Sequence, residues 1–436
     1  MKSDRRVPVA IIGGGFSGTM LAAQLARRGI ASLLIEGGGR VGLGTAYSTA
    51  EPAHVLNVRA EGMSAWPDDP SNFAHKFGDP RGFAERRFFG RYLREILDNV
   101  VASGLGEVVS STAVAATPGA DGWWVELDDG GMVAAQAVVL ATGNQSPEPL
   151  GIASGLGARF INNPWNDEAK AAVRDAATSG GDVLLVGTGL TMIDAVLSLN
   201  AAEHQGRIVA LSRRGQIPKA HADFVASPVE ESDVPKGDVL ALWRWLRRRS
   251  GELGWRAAID SLRPHSQKLW QSLDDRQQRR FLRHARPWWD VHRHRIAPEV
   301  ARQVHDRVAA GSLEIVAGRI GAIRDVDGGL EVEIRRRRGS AETRRFAYAI
   351  NCTGPLGAIE RTCDPMLRSL LDGQLVRPDP LGIGLDVDQR SRAIGAERMW
   401  ALGPLTKGRY WEIVAVPDIR EQAAAVAEGI ARELEI

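Results

Sequence analysis

The sequence predicts an α/β fold of two Rossmann-like dinucleotide-binding domains with a helical insertion, and three observations carry that prediction. Gly13-Gly14-Gly15-Phe16-Ser17-Gly18 follows the apolar run Val9 to Ile12 and opens a helical pattern. Gly187-Thr188-Gly189-Leu190-Thr191-Met192 follows Asp182 to Val186 in the same way, about 170 residues further on. Residues 236–310 then lose the strand pattern and read as mainly helical, before strands resume.

The elements follow in order. Pro8 is expected just before the first strand, where a missing N–H does least harm. Leu21, Leu25 and the alanines between them give the next helix its apolar face, and Gly29 marks its end. Leu33-Leu34-Ile35-Glu36 is the second strand, and Gly37 to Pro80 reads as loop-rich. Residues 83–103 look helical. Residues 107–142 alternate as strands broken at Asp121-Gly122 and Asp129-Gly130-Gly131. After the second glycine motif, Ile208 to Leu211 is a strand ending at Ser212-Arg213-Arg214-Gly215. Strands return at 312–336 and 346–350, and a last helix is expected at about 418–434.

At 436 residues the chain has room for two or three domains. Its 44% hydrophobic and 25% charged residues are those of an ordinary globular protein. Met1 to Arg6 is basic like the start of a signal peptide, but the apolar stretch behind it is short and ends in glycines, so it reads as a strand. No apolar run reaches the roughly 18 residues of a membrane span, and a cytoplasmic location is expected. Cys352 and Cys363 are the only cysteines and form no CxxC pair, so neither that kind of redox disulfide nor a zinc site is expected. The net charge of +2 hides an asymmetry: residues 236–310 carry 17 Lys/Arg against 8 Asp/Glu, the remainder 38 against 45. A solvated basic helical face explains this; a surface for an anionic small-molecule ligand is the sharper reading. No nucleic-acid-binding motif accompanies the charge. Six of the twelve tryptophans fall in the same segment: Trp243, Trp245, Trp255, Trp270, Trp288 and Trp289.

In the first motif Gly13 makes the tight turn, Gly15 lets a pyrophosphate approach the backbone, and Gly18 lets the helix pack on the sheet. Phe16 and Ser17 open the helix, whose free N–H groups and dipole favour phosphate. Glu36 ends the second strand, where a carboxylate accepts hydrogen bonds from ribose hydroxyls. The second motif puts Met192 at the third glycine position, and its following strand ends in Arg213 and Arg214 rather than an acid. An arginine there pairs with the 2′-phosphate of NADPH, which a carboxylate would repel. His292 and His294 alternate, but the partner ligands of a metal site are missing, so no metal is expected.

Ala141-Thr142-Gly143 and Cys352-Thr353-Gly354 both close apolar strands with small-residue turns, and with the first motif they resemble the ATG-type segments of two-dinucleotide-binding-domain flavoproteins. Gly44-Thr45-Ala46-Tyr47-Ser48, His54-Val55-Leu56-Asn57-Val58, Met63-Ser64 and Pro67-Asp68-Asp69-Pro70 are similar to a bacterial group of FAD/NAD(P)-binding proteins. So are Gly187 to Asp194, Ser212 to Gly215, Arg283-His284, Trp288, Arg293-His294-Arg295, Gly403-Pro404-Leu405 and Trp411-Glu412. That group is related to the N-hydroxylating and Baeyer–Villiger flavin monooxygenases. The FxGxxxHxxxW/D segment of those enzymes is absent, and Phe160 to Trp165 only takes a comparable place.

The resemblance implies FAD on Gly13, Gly15, Phe16, Ser17, Gly18, Glu36 and Thr45, with the turns at Ala141, Thr142, Gly143, Thr353 and Gly354. It implies NADPH on Gly187, Gly189, Thr191, Arg213 and Arg214. It puts Asn57, Gly403 and Pro404 near the flavin ring, with the helix start at about Asp418 facing it. Asn57, His284, Arg293 and His294 are candidates for a catalytic role toward a small-molecule substrate. The expected domains are 1–178 (FAD, first part), 179–235 (NAD(P)H), 236–311 (basic Trp/Arg-rich helical segment) and 312–436 (FAD, second part). The implied activity is an NADPH-dependent monooxygenase acting through a peroxyflavin. A flavin reductase or dehydrogenase serving a partner protein or quinone, and a redox-sensing nucleotide-binding protein without turnover, remain the alternatives.

Overall fold

The computed structural model describes residues 5–435; Met1 to Asp4, part of the expected basic start, lie outside them. Two seven-stranded sheets organise the chain. The first contains β1 (Arg5–Ile12), β2 (Ser32–Ile35), β3 (Gly106–Val109), β4 (Ala113–Gly119), β5 (Gly122–Leu127) and β6 (Met132–Leu140). The second contains β7 (Phe160–Ile161), β8 (Val183–Val186), β9 (Ile208–Ser212), β10 (Leu313–Val326), β11 (Gly329–Arg336), β12 (Ala341–Phe346) and β13 (Tyr348–Asn351). A last strand, β14 (Met399–Ala401), returns to the first sheet beside β6.

The strand orders are β3-β2-β1-β6-β5-β4 and β12-β11-β10-β9-β8-β13-β7. Each has a parallel centre, covered on both faces and therefore continuously apolar, and an antiparallel extension: β4 and β5 in the first, β11 and β12 in the second. Val9, Ala10 and Ile11 are fully buried in one centre, Val183, Leu184 and Leu185 in the other.

Three expectations are corrected. Pro8 lies inside β1: the strand pairs with β6 from Arg5, but with β2 only from Val9, so the proline falls where one side is still unpaired. Strands β10 to β13, expected with the second part of the first domain, belong to the second sheet, because β13 pairs with β8 as β6 pairs with β1. Residues 160–161, expected in the first domain, pair with β13 as well. The first sheet is instead completed by β14 and by the helix Val416–Glu433, which packs on the helix Phe16–Ala26.

Residues 236–311 are helical as expected, in the segments Val239–Leu253, Trp255–Ser261, Ser266–Ser272, Asp275–Arg280, Arg286–Arg293 and Pro298–Ala309, with a π-helical turn at Phe281–Ala285. Arg244, Arg247, Arg248, Arg276, Arg280 and Arg283 face solvent. Among the described residues no helix is long and apolar enough to cross a membrane.

Candidate functional site: two glycine turns and a cleft

The two glycine motifs are built by the same backbone device. Gly13 N–H bonds Ile35 O at 2.9 Å and Ala141 N–H bonds Ile12 O at 2.8 Å; Gly187 N–H bonds Leu211 O and Cys352 N–H bonds Val186 O, both at 2.8 Å. The turns have φ +111° and +124°. A Cβ on Gly13 would lie 2.4 Å from Ala141 O, and one on Gly187 2.2 Å from Cys352 O. Glycine is therefore required by the crossing strand itself. Gly18 is held as tightly, since its Cβ would meet Gly13 O at 2.0 Å. Met192, at the equivalent place, is fully buried in the core of the second domain.

A cleft of about 610 Å³ opens at the carboxyl ends of β1 and β6. Gly13, Gly15, Phe16, Ser17, Glu36, Thr45, Ala141, Thr142, Gly143 and Pro404 line it, and so do Thr191 and Gly354 from the second unit. Gly15 caps the helix Phe16–Ala26 with no side chain over its N–H groups. The Glu36 carboxylate accepts N–H bonds from Gly14 and Gly38, each 2.8 Å, and still faces the cleft. Gly403 lies behind Ser17: a Cβ there would fall 2.6 Å from Ser17 Oγ. The helix Val416–Glu433 begins two residues before the expected Asp418, and Val416 and Ile419 of its first turn line the cleft.

Gly187, Gly189, Thr353, Arg213 and Arg214 do not line this cleft. Thr188 Oγ1 lies 2.8 Å from Ser212 Oγ and donates to Gln216 O, tying the second turn to the end of β9. Ser212 Oγ accepts Gly215 N–H at 3.0 Å, and Gly215 has φ +61°, which shapes the turn carrying both arginines. Arg213 is exposed and Arg214 half-buried, and among the described residues neither engages a carboxylate.

Several lining residues were given no place at the cleft by the sequence. Arg40, Arg86, Gln145 and Trp165 all face the cleft, as does Tyr47, whose phenol burial pushes up to about 12. Arg86 also reaches the second domain, with a guanidinium N 2.9 Å from Asp194 Oδ1 and its Nε–H on Val55 O at 3.2 Å. Beside it, His54 Nε2 lies 3.1 Å from Asp194 O and Nδ1 2.9 Å from Thr49 Oγ1. Burial lowers the His54 pKa despite the nearby Asp194 charge.

The four catalytic candidates do not converge. Asn57 is half-buried outside the cleft lining, and its main-chain oxygen accepts His221 Nε2–H at 3.0 Å. His284 is exposed on the π-helical turn. Arg293 and His294 meet at Glu412: Arg293 Nε lies 3.2 Å from Oε2 and His294 Nε2 3.8 Å from Oε1. Trp289 Nε1–H donates to the same carboxylate at 2.5 Å. Glu412 is only 8% exposed and has φ +66°, a conformation costly for a side chain with a Cβ. Burial lowers the His294 pKa and raises that of Asp418. These groups hold the segment that places Val414 on the cleft wall. Among the described residues no group of three metal-ligating side chains occurs.

Two parallel-centred sheets, each with a glycine turn closed by a returning strand, define the two-dinucleotide-binding-domain fold. Residues 10–145 match the FAD-NAD(P)-binding family model. The chain is 29% identical, over 219 residues, to a Baeyer–Villiger monooxygenase of Streptomyces coelicolor, across 48% of this chain and 35% of that protein. It thus spans about a third of that relative's length. In structure it is similar to the ornithine N-hydroxylase of Kutzneria sp. 744 (TM-score 0.69, 16% identity, 98% of this chain and 100% of that one). It is also similar to the ornithine hydroxylase of Pseudomonas aeruginosa (TM-score 0.67, 14% identity, 98% and 99%). The thioredoxin reductase of T. acidophilum shares the fold (TM-score 0.58, 12% identity, 99% and 100%).

Proposed function

We propose that the chain is an FAD-dependent, NADPH-using oxidoreductase that oxygenates a small molecule. The observation that carries this reading is the single cleft lined both by the start of the first motif's helix and by Thr191 and Gly354 of the second unit. Such a cleft supports a reading in which two nucleotides meet, with the Gly187 turn and the two arginines outside its lining.

The residues fit the two cofactors. The N–H groups behind Gly15 and the dipole of the helix Phe16–Ala26 hold a pyrophosphate. Glu36 accepts from ribose hydroxyls with the lone pairs its two N–H partners leave free. Gly189 caps the helix Leu190–Ala201 with open space around it, the same arrangement for NADPH, and Arg213 and Arg214 pair with the 2′-phosphate. FAD, when bound, supplies the two-electron and oxygen chemistry that no side chain here provides. The protein binds and orients, and Tyr47, Trp165 and Val414 wall off water.

Anaerobic mixing with NADPH tests the first half: the flavin absorbance is expected to bleach, and an unbleached flavin overturns the enzymatic reading. Admitting oxygen with candidate substrates tests the second: oxygen uptake is expected to match product, with little hydrogen peroxide. A reductase serving an acidic acceptor is the second reading, favoured by the exposed arginines at 244, 247, 248, 276, 280 and 283. It predicts turnover with an added acceptor in place of oxygen.

A further inference from the structure

We propose that Arg337, from the hairpin of β11 and β12, is a third cation for the 2′-phosphate of NADPH, beside Arg213 and Arg214. This rests on the NADPH-using reading, because it adds a residue to that nucleotide's site. Three neighbouring strands bring the residue there. Ser212 ends β9 and pairs with Ala317 of β10. Ala317 O accepts Arg337 N–H at 2.7 Å, one step beyond the pairing of Gly318 with Arg336. Ser212, Ala317 and Arg337 therefore form one row across the sheet. The turn that carries Arg213 and Arg214 folds back onto this row, since a Cβ on Gly215 would fall 3.2 Å from the Ala317 Cβ. The turn thus lies on the side-chain face of Ala317. Residues directly opposite on paired strands share a face, with Cβ atoms about 5 Å apart. Arg337 stands on the face that the turn covers, and Ala317 puts no more than a methyl between them.

The other arginines of the hairpin are committed elsewhere. Arg336 takes the opposite face, where Glu314 and Glu342 hold it at 2.6 and 2.8 Å. Arg344 meets the same two carboxylates, and Arg335 Nε lies 2.7 Å from Glu333. Arg337 is exposed and, among the described residues, engages no carboxylate, which is also the state of Arg213 and Arg214. Unpaired cations gathered at one strand end make a local positive field open to a ligand from solvent. A phosphate monoester carries nearly two negative charges and three accepting oxygens at neutral pH, enough for more than two guanidiniums. NADH has a hydroxyl in that place and gains nothing from the third cation.

Calorimetry on the flavin-loaded protein tests the idea with NADPH, NADH, adenosine 2′,5′-bisphosphate and 5′-AMP. Within each pair the two ligands differ only in the 2′-phosphate. Arg337→Ala is expected to weaken NADPH and the bisphosphate about fivefold, the size of one exposed charge-assisted contact. NADH and 5′-AMP should keep their wild-type affinity. Arg337→Glu should weaken the two phosphorylated ligands further. Arg345→Ala removes an exposed arginine from the open end of the same hairpin and should leave all four ligands unchanged. Undiminished NADPH affinity in Arg337→Ala, equal losses for NADPH and NADH, or the same loss in Arg345→Ala overturns the proposal. Bleaching of the flavin by NADPH is read on the same samples. Bleaching with an affinity that Arg337→Ala does not change sinks the role of Arg337 alone. Bisphosphate binding that depends on Arg337, without bleaching, sinks the oxidoreductase reading alone. A wild type that binds neither phosphorylated ligand overturns both.

Discussion

Arg86 and Asp194 face each other at 2.9 Å across the two domains, one on the helix Arg86–Ala102 of the first, the other on Leu190–Ala201 of the second. Their side chains are 16% and 8% exposed. Removing one partner from so buried a pair strands the other charge. Arg86→Ala is expected to lower stability by about 3 kcal/mol in urea unfolding. The double variant Arg86→Ala/Asp194→Ala should regain part of that loss. A double variant weaker than the sum of the singles would show that the pair is not the source.

The two turn glycines separate the two nucleotides. Gly13→Ala forces a Cβ onto Ala141 O, and Gly187→Ala one onto Cys352 O. The first variant is expected to purify with little flavin per protein. The second should keep its flavin and lose bleaching by NADPH. Loss of flavin from both, with folding intact by circular dichroism, would contradict separate sites.

Arg213 and Arg214 report on the phosphate. With both changed to Ala, the NADPH dissociation constant should rise about tenfold or more while that for NADH stays within about twofold, since a charge-assisted phosphate contact is worth roughly 1.5–3 kcal/mol. Equal losses for the two nucleotides would remove the 2′-phosphate from their role.

Stability should fall in mild acid partly through His221. Burial holds its imidazole at about 4, against an ordinary 6.5. Between those values the unfolded chain binds the proton and the folded one does not, so stability rises with pH across that window and is lost as pH falls through it. His54 acts in the same direction. His221→Gln keeps an N–H for Asn57 O and removes the titration, so its urea midpoint should change less than the wild type's between pH 6.5 and 4.5. An unchanged slope would assign the effect elsewhere.

Much of the first site was legible because its chemistry is local. Gly13, Gly15, Glu36 and the Ala141–Gly143 turn announce themselves by type and spacing, and all line the cleft. Arg86, Tyr47 and Trp165 are brought in from elements whose patterns record burial, not the cleft they face. The domain boundary at 312 was misread for a related reason. A strand such as β13 carries no mark of the sheet it will join; its place beside β8 shows only in the ladder that Tyr348–Asn351 makes with Val183–Val186. His284 and Arg293 are nine positions apart, and nine steps of about 100° put them on opposite faces of the helical run, so one ends on the surface and the other beneath Glu412.

The position of β14 has a consequence for the order of assembly. The second sheet draws all its strands from residues 160–351, whereas the first needs 399–401 beside β6 and 416–433 over its first helix. During synthesis, the domain that begins earliest is the last to close. Until the chain has passed Glu433, Met20, Leu21 and their neighbours lack part of their cover. A ribosome-bound nascent chain is therefore exposed to chaperones and to misassembly around Met20 and Leu21, and truncation of the helix Val416–Glu433 should harm residues made some 400 positions before it.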